Sequence, residues 1–189
     1  PLWLGPAFGL SAAVSAGLAL VVMALVTGCL HEDGLADLAD GFGGGRDVAR
    51  KLEIMRDSRI GSYGVMALVL AVGLRWAALM EVPVAALLAA AVGARATAAF
   101  ALAYLPAARV DGLGFAAAGR VAKPHLVLAA GLAVAMCLPF GFAGLLALGV
   151  AALTALGVAG LAMRQIGGQT GDVLGAMILL SETAALIAF

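Results

Sequence analysis

Residues 142–163 read FAGLLALGVAALTALGVAGLAM, a run of 22 positions without a single charged side chain. About 20 apolar residues form a helix long enough to cross the roughly 30 Å hydrocarbon core of a bilayer. The run is rich in Ala and Leu and lacks an alternation of polar and apolar positions, which favours a helix over a strand. A helix also satisfies its own backbone polar groups, which lipid cannot do. The stretch therefore predicts a membrane-spanning helix.

Similar runs occur along the whole chain, and together they predict an all-α, polytopic transmembrane helical bundle of about six spans. These spans are expected near Phe8–Leu30, Tyr63–Met80, Val84–Tyr104, Pro124–Pro139, Phe142–Met163 and Val173–Phe189. No internal repeat or linker divides the sequence, so residues 1–189 are interpreted as a single integral-membrane domain. The chain begins at Pro1 without a basic segment before the first apolar run, so we expect no signal peptide and an N-terminally incomplete chain.

The composition excludes a water-soluble globular domain. Of the 189 residues, 64% are hydrophobic and only 12% are charged, against about 25% charged residues in a typical soluble domain. The mean hydropathy is +1.11. Eleven basic residues balance eleven acidic ones, so no overall field attracts nucleic acid, and none is expected as a partner. Cys29 and Cys137 are far apart in the chain and support neither a disulfide nor a zinc site. The expected surroundings are a lipid bilayer, and the oligomeric state is left open.

The few charges are concentrated in one polar segment, residues 31–62. Twelve of the 22 charged residues lie there. The longer loops near residues 105–123 and 164–171 carry the other loop arginines and lysines, whereas the short turns 81–83 and 139–141 carry none. Because cytoplasmic loops of membrane proteins are enriched in Lys and Arg, this pattern places all three polar loops in the cytoplasm. We expect a multi-pass protein of the cell inner membrane with its polar segment facing the cytoplasm.

Three aspartates of the polar segment share one face of a predicted helix. Asp33 and Asp37 are four residues apart, and Asp40 follows three residues later. Like charges at this spacing repel one another, and a bound cation would reverse the effect. Carboxylates without soft donors favour a hard ion such as Mg²⁺. The spacing does not match a calcium-binding EF-hand loop. The pattern predicts that these three residues bind Mg²⁺; the alternative is a solvated helix face without a ligand.

A candidate phosphate-binding sequence follows the aspartates. It consists of three consecutive glycines with an arginine and, farther on, a short charged run: Gly43, Gly44, Gly45, Arg46, Arg56, Asp57, Ser58 and Arg59. Glycine lets backbone N–H groups approach a phosphate, and the arginine fork binds phosphate oxygens. The sequence lacks the pattern of a nucleotide-binding P-loop, and a glycine triplet is also common in flexible turns. Together with the aspartates, these residues indicate phosphoryl transfer, in which metal and arginine neutralise the charge of the phosphate.

Two stretches resemble the cobalamin synthase family, which comprises adenosylcobinamide-GDP ribazoletransferases, also called cobalamin-5′-phosphate synthases. The first is HEDGLADLADGFGGGR, residues 31–46, followed by LEIMRDSRIGSYG, residues 52–64. The second is GGQTGDVLG, residues 167–175. Both occur in the order expected for the family, and the likeness extends over essentially the whole chain. The sequence departs from the family at Glu32, where an apolar residue is usual, and at the N-terminus, where members are longer by about one or two helices.

The resemblance implies an enzyme of the inner membrane that transfers phosphocobinamide from adenosylcobinamide-GDP to α-ribazole or its 5′-phosphate. The products would be adenosylcobalamin or its phosphate together with GMP, and Mg²⁺ would be the cofactor. On this reading Asp33, Asp37 and Asp57 take part in catalysis. Phosphate or substrate is bound by the glycine triplet and by Arg46, Arg56, Ser58, Arg59 and Asp172.

Two other functions are compatible with parts of the sequence. A CDP-alcohol phosphotransferase has a related aspartate motif, Asp-Gly-x-x-Ala-Arg, but its last two residues are replaced here by Asp37 and Leu38. A transporter usually has charges near the middle of the membrane and paired repeats, whereas most charges here lie in one segment.

Four further ionisable residues lie near or within the predicted spans. Arg95 and Glu182 are expected either to pair with each other or to line a substrate cavity, because isolated charges inside a membrane are costly. Arg75 is near Glu81 and is expected to extend toward the membrane surface. Asp172, at the start of the last span, has two interpretations: a helix N-cap or a contact with metal or substrate.

Overall fold

The computed structural model describes residues 5–117 and 120–189 and is 82% helical, with no strand in the part described. The prediction of an all-α fold is confirmed. The α-helices are α1 Ala12–Thr27, α2 Leu30–Gly44, α3 Val48–Ile54, α4 Ser62–Glu81, α5 Val84–Tyr104, α6 Gly112–Ala117, α7 Lys123–Cys137, α8 Gly141–Ile166 and α9 Gly171–Ala188. Short 3₁₀ turns precede α1 at Gly5–Phe8 and join α7 to α8 at Leu138–Phe140.

Several helices are apolar and long enough to cross a membrane. Four stretches meet this description: Ser62–Glu81, Val84–Tyr104, Lys123–Ile166 and Gly171–Ala188. A fifth span is added if α1 and α2, which meet at 87°, are counted together. The protein thus has the helices of a polytopic membrane protein, and the count of six spans stays a prediction.

The stretch Lys123–Ile166 contains 44 residues, about twice the length that a bilayer requires. The structure divides it at Gly141, whose φ of +59° is a left-handed conformation that glycine adopts without steric cost. Ala130 and Val134 of α7 line the same cavity as Ala152 and Leu156 of α8. Because these two pairs would be far apart along a straight helix, α7 and α8 form a hairpin.

Helix α9 is the centre of the bundle. It packs against α2, α4, α5 and α8. Of its residues 56% are buried inside the protein, against 17% in the most apolar part of Lys123–Ile166. Large apolar side chains on the outer helices remain exposed instead, among them Val21 and Leu25 of α1, Val69 of α4 and Leu153 of α8. In a membrane protein such side chains face lipid rather than water, which agrees with the high apolar content of the sequence.

The chain bends sharply between α1 and α2. Gly28 and Cys29 both have left-handed backbone conformations, with φ of +61° and +57°. Gly28 is the C-cap of α1, and the Cys29 N–H donates to the Ala24 carbonyl at 2.9 Å. This cap ends α1, so the next helix starts in a new direction, and the polar residues of α2 run across α9 and α4 instead of continuing along α1.

The three polar connections meet at one end of the bundle. Lys51, in the first connection, donates a hydrogen bond to Gln165 at the end of α8. The second connection, after α5, forms a short parallel bridge with the third: the Ala108 N–H donates to the Gln169 carbonyl at 2.9 Å, and the Gln169 N–H donates to the Pro106 carbonyl at 2.8 Å. The grouping agrees with the basic-residue pattern, which places these loops on the same side of the membrane.

A group of four charged side chains, named the core ion group, lies among α2, α4, α5 and α9. Arg75 contacts Glu182 at 2.5 Å and Glu32 at 3.1 Å, and Arg95 contacts the other carboxylate oxygen of Glu182 at 3.2 Å. The predicted pairing of Arg95 with Glu182 is confirmed. The prediction for Arg75 is wrong: its side chain is only 3% exposed, because two carboxylates hold it inside the bundle.

Candidate functional site

Two glycines bring α2 and α9 into close contact at the polar end of the bundle. A Cβ atom on Gly34 would lie 2.8 Å from the carbonyl oxygen of Asp172, and one on Gly175 would lie 3.1 Å from the carbonyl oxygen of Leu30. The distance at Gly34 leaves no room for a side chain, and the one at Gly175 is tighter than ordinary van der Waals contact, so glycine at both positions permits the two backbones to approach one another. The contact brings the first aspartates of α2 beside the start of α9.

Three carboxylates are near enough at this contact to influence one another electrostatically. Asp37 experiences the negative charges of Asp33, Asp172 and, more weakly, Asp40, together with the positive charge of Arg109. In residues 5–117 and 120–189, no three His, Cys, Asp or Glu side chains are arranged as a ready metal site. The predicted ligands Asp33 and Asp37 are therefore close to Asp172 but do not by themselves form a complete coordination shell.

Asp40 performs a structural task at the other end of α2. Its side chain is buried and accepts hydrogen bonds from the backbone N–H groups of Gly61, at 2.7 Å, and Gly64, at 2.9 Å. These donors are among the N–H groups at the start of α4 that have no partner within the helix. Asp40 thus caps α4 and joins it to α2. Metal binding by Asp40 stays a prediction, and both of its carboxylate oxygens already have a donor.

Arg109 connects the start of α9 to the loop after α5. Its Nη2 donates to Asp172 at 3.2 Å, and its Nε lies 3.7 Å from Asp111. Asp111 also accepts two hydrogen bonds from Arg56, each at 2.7 Å. These four residues, Arg56, Asp111, Arg109 and Asp172, are named the site ion group. They join the polar segment, the loop after α5 and the start of α9.

Two cavities open beside these residues and share Asp33. One, of about 390 Å³, is lined by residues of α2, α5 and α9 and by the loop after α5: Leu30, His31, Asp33, Leu102, Arg109, Gly171, Asp172, Leu174, Gly175 and Ile178. The other, of about 510 Å³, is lined by residues of α2, the segment after α3 and α4: Cys29, Glu32, Asp33, Ala36, Asp37, Met55, Arg56, Asp57, Ser58, Ile60 and Leu68. Asp33 thus lies where two separate spaces meet.

The glycine triplet lies away from both cavities. A Cβ atom on Gly43 would contact the ring of Tyr63, one on Gly44 would lie 3.4 Å from Ile54, and one on Gly45 would contact Lys51. The glycines therefore permit the end of α2 to pack on α3 and α4. Arg46 follows on the surface. Phosphate binding by these four residues stays a prediction, and the structure gives the three glycines a packing role.

The charged run after α3 is divided between the larger cavity and the surface. Arg56, Asp57 and Ser58 line the cavity, whereas Arg59 does not. Arg59 forms an exposed ion pair with Asp57 at 2.6 Å. The hydrogen bonds from Arg59 lower the pKa of Asp57 to about 2, so this carboxylate is ionised at neutral pH and does not hold a proton for general acid catalysis.

The interpretation of Asp172 as the N-cap of α9 is wrong. The side chain of Thr170 caps that helix by accepting from the Val173 N–H at 3.2 Å. The Asp172 carboxylate is free to accept from Arg109 instead, as well as from the Thr170 hydroxyl at 3.2 Å. Sequence reasoning missed Arg109 and Asp111, which it treated only as part of a basic loop. The presence of two charges in a short loop between apolar spans was the available signal.

The arrangement combines negative and positive groups at one end of the bundle. The carboxylates of Asp33, Asp37, Asp111 and Asp172 and the guanidinium groups of Arg56 and Arg109 have a formal net charge of −2 when all are ionised. A divalent cation would offset this charge, and the arginines offer donors to an oxyanion. The residue types thus have the chemistry that a phosphate-containing ligand bound with a cation requires.

Comparisons with known proteins agree with this chemistry. The model of the family described as cobalamin-5-phosphate synthase matches residues 1–189. The chain is 46% identical over 186 residues to the adenosylcobinamide-GDP ribazoletransferase of Mesorhizobium japonicum, an alignment that covers 95% of this chain and 71% of the relative. It is 47% identical over 185 residues to the protein of the same name from Bradyrhizobium diazoefficiens, with the same coverage. No solved structure matches the chain. The sequence resemblance is thereby confirmed, and the chain belongs to the cobalamin-5-phosphate synthase family.

Proposed function

We propose that this protein is an Mg²⁺-dependent transferase that joins adenosylcobinamide-GDP to α-ribazole or its 5′-phosphate, a late step of cobalamin biosynthesis. The names of its relatives support the reaction class and the first substrate. The products are adenosylcobalamin or its phosphate and GMP. The observation that carries the proposal is the placement of Asp33 between two cavities beside two arginines. A transferase with two substrates needs two binding spaces that meet at the reacting atoms.

The carboxylates suit Mg²⁺ by their chemistry. Mg²⁺ is usually bound by one or two carboxylates, with waters and substrate phosphates completing its six ligands. Asp33 and Asp37 supply oxygen donors beside the cavities and would hold the ion, with Asp172 across the helix contact. A bound Mg²⁺ would neutralise charge on the phosphates. The absence of a three-residue site in the described part of the chain is compatible with this arrangement because substrate and water provide the remaining ligands.

The transfer breaks one phosphoanhydride bond and forms one phosphoester bond. The hydroxyl oxygen of α-ribazole attacks the phosphorus that carries cobinamide, and the bond from this phosphorus to the oxygen of GMP breaks. GMP leaves with the electron pair of that bond. The proton of the attacking hydroxyl passes to a carboxylate beside the cavities, for which Asp37 is proposed. Arg56, beside the larger cavity, stabilises the negative charge on the non-bridging oxygens.

The proposed location follows from the loops. The reaction takes place at the cytoplasmic face of the inner membrane, since the basic residues of all three polar connections identify the cytoplasmic side. The apolar outer surfaces of α1, α4 and α8 contact the bilayer. Nucleotide-linked substrates reach the site from the cytoplasm without crossing lipid.

The test is an assay of the purified protein in detergent with adenosylcobinamide-GDP, α-ribazole and Mg²⁺, in which GMP and the corrinoid product are measured. We expect GMP release that depends on Mg²⁺ and falls about 100-fold or more in Asp33→Asn and in Asp37→Asn, which corresponds to about 2.7 kcal/mol of transition-state stabilisation. Glu53→Gln is the matched control, because Glu53 is an exposed carboxylate of the same polar segment that forms a surface ion pair with Arg50. Normal Mg²⁺-dependent transfer by both aspartate variants would contradict the assignment.

Release of CMP from CDP-diacylglycerol, measured in a parallel reaction, tests the alternative of phospholipid synthesis. We expect none, because the Ala-Arg pair that ends the CDP-alcohol motif is replaced by Asp37 and Leu38 in this chain. CMP release without GMP release would overturn the proposed substrate.

A further inference from the structure

One nitrogen of the Arg109 guanidinium has no hydrogen-bond partner in the described part of the structure. Its Nη2 donates to Asp172, and its Nε lies beside Asp111. Its Nη1 is buried and has no hydrogen-bond partner among residues 5–117 and 120–189. An unsatisfied buried donor costs free energy, more so when it belongs to a charged group. A bound oxyanion would remove this cost.

The position of the guanidinium restricts which anion can use this donor. Arg109 lines the smaller cavity together with His31, Asp33 and Asp172. The surrounding carboxylates repel an anion unless a cation is present, so the ligand that fits is an anion bound together with a divalent metal. A pyrophosphate complexed with Mg²⁺ has this chemistry.

The Asp172 carboxylate restrains the orientation of Arg109. It accepts a hydrogen bond from Nη2 at 3.2 Å and is carried by α9, whereas Arg109 belongs to the loop after α5. Asp111 of the same loop lies 3.7 Å from Nε, an ion-pair distance rather than a hydrogen bond. The guanidinium is therefore anchored to α9 before the ligand arrives. A pre-oriented arginine fork loses less conformational entropy when it binds a phosphate.

We propose that Arg109 binds a non-bridging oxygen of the substrate pyrophosphate through Nη1, in the cavity between α2 and α9. The inference rests on the proposed function, since that function supplies the pyrophosphate. It adds a phosphate-binding residue outside both sequence motifs. It also places the pyrophosphate of that substrate in the smaller cavity and leaves the larger one for the ribazole nucleophile.

The experiment measures binding separately from turnover. GDP, with Mg²⁺ present, is the probe for the pyrophosphate, and its Kd is determined by equilibrium dialysis with purified wild-type protein and with Arg109→Gln. We expect Kd for GDP to increase about tenfold to a hundredfold, as for loss of a charged hydrogen bond, with a matching increase in KM for adenosylcobinamide-GDP. The Kd for α-ribazole 5′-phosphate should stay within about twofold, which distinguishes the two sources of phosphate.

Two further variants separate binding from folding. Arg164→Gln removes an exposed arginine near the end of α8 and should leave Kd for GDP unchanged. Arg109→Lys keeps the charge beside Asp172 but lacks the planar fork, so we expect a wild-type unfolding midpoint and weaker GDP binding. If Arg109→Gln does not fold, the GDP affinity of Arg109→Lys tests the inference instead.

Unchanged GDP affinity in a folded Arg109 variant would overturn the inference, whether or not turnover falls. The proposed function is judged on a different measurement, GMP release by the wild-type protein. Failure of one is thus distinguishable from failure of the other.

Discussion

The core ion group and the site ion group consist of the same residue types but differ in how completely their charges are enclosed. In the core group, Arg75 and Glu182 are 3% and 2% exposed and contact each other directly. In the site group, Arg56 and Asp111 are 53% and 58% exposed. Buried atoms without a hydrogen-bond partner among the described residues occur in both groups, namely Nη1 of Arg109 and, in the core group, Nε of Arg75 and Oε2 of Glu32. Paired charges that are sealed from solvent hold helices together. Charges that border a cavity and remain open to solvent are available to a ligand.

The most severe test of this comparison removes a carboxylate from the core group. Glu182→Ala removes the carboxylate that Arg75 contacts at 2.5 Å and leaves Glu32 as its ion-pair partner among the described residues. Breaking a buried ion pair by removing one partner costs about 3–5 kcal/mol. We expect the free energy of unfolding in detergent to fall by this amount. Glu81→Ala is the control, since Glu81 is exposed at the end of α4. A loss below about 1 kcal/mol would show that the core group is not what holds these helices.

The contact between α2 and α9 tests whether the site depends on helix approach. Gly34→Ala places a Cβ atom 2.8 Å from the backbone oxygen of Asp172, and overpacking of this kind costs about 1–3 kcal/mol. Because the helices must separate, we also expect GMP release to fall about tenfold or more. Gly73→Ala is the matched control, as its Cβ would meet open space. Full activity of a folded Gly34→Ala would show that this spacing is not needed.

Asp40 distinguishes a structural carboxylate from a metal ligand. In Asp40→Asn, one of the two hydrogen bonds from the start of α4 is lost, which should lower the free energy of unfolding by about 1 kcal/mol. We expect the Mg²⁺ concentration for half-maximal GMP release to remain the same. An increase of tenfold or more in that concentration would support the metal role predicted from sequence.

The smallest effect is expected at the exposed pair of Asp57 and Arg59. In Arg59→Gln the pKa of Asp57 should rise from about 2 toward its ordinary value near 3.8. A lowered carboxyl pKa stabilises the folded state above the ordinary value, and this contribution is lost as the pH falls toward 2. The unfolding midpoint at pH 7 should barely change because the pair is exposed. An NMR titration of the Asp57 carboxyl carbon checks this prediction, and an unaltered pKa would contradict it.

Hydropathy was sufficient to predict most of the fold. The apolar runs at Val84–Tyr104 and Tyr63–Met80 became α5 and α4 with nearly the predicted bounds, because backbone hydrogen bonds must be satisfied within each segment in lipid. The run near Phe8–Leu30 is divided instead by the left-handed Gly28 and Cys29. Hydropathy marks where the apolar α1 gives way to the polar α2, but it contains no information on the direction in which the chain continues.

The site was predicted only in part. Spacing along α2 placed Asp33 and Asp37 on one face, and the structure adds Asp172 from a distant part of the chain. The same spacing also grouped Asp40 with them, but Asp40 is recruited by the N–H groups of α4. Position on one helix cannot reveal which neighbouring helix competes for a side chain. Arg109 was missed for the same reason, because its importance depends on partners that are distant in sequence.

Helix α9 connects the two ion groups mechanically, because it carries one residue of each. Asp172 and Glu182 belong to the same helix, and ten residues at 1.5 Å each place them about 15 Å apart along its axis. The ion pairs of Glu182 hold α9 at one point along its length. If α9 tilts about that point by about 4°, Asp172 is displaced by about 1 Å. A displacement of this size is enough to reduce a reaction rate substantially. A folded variant of the core ion group can therefore have a low turnover rate although its catalytic residues are intact. That rate then indicates how firmly α9 is held in position.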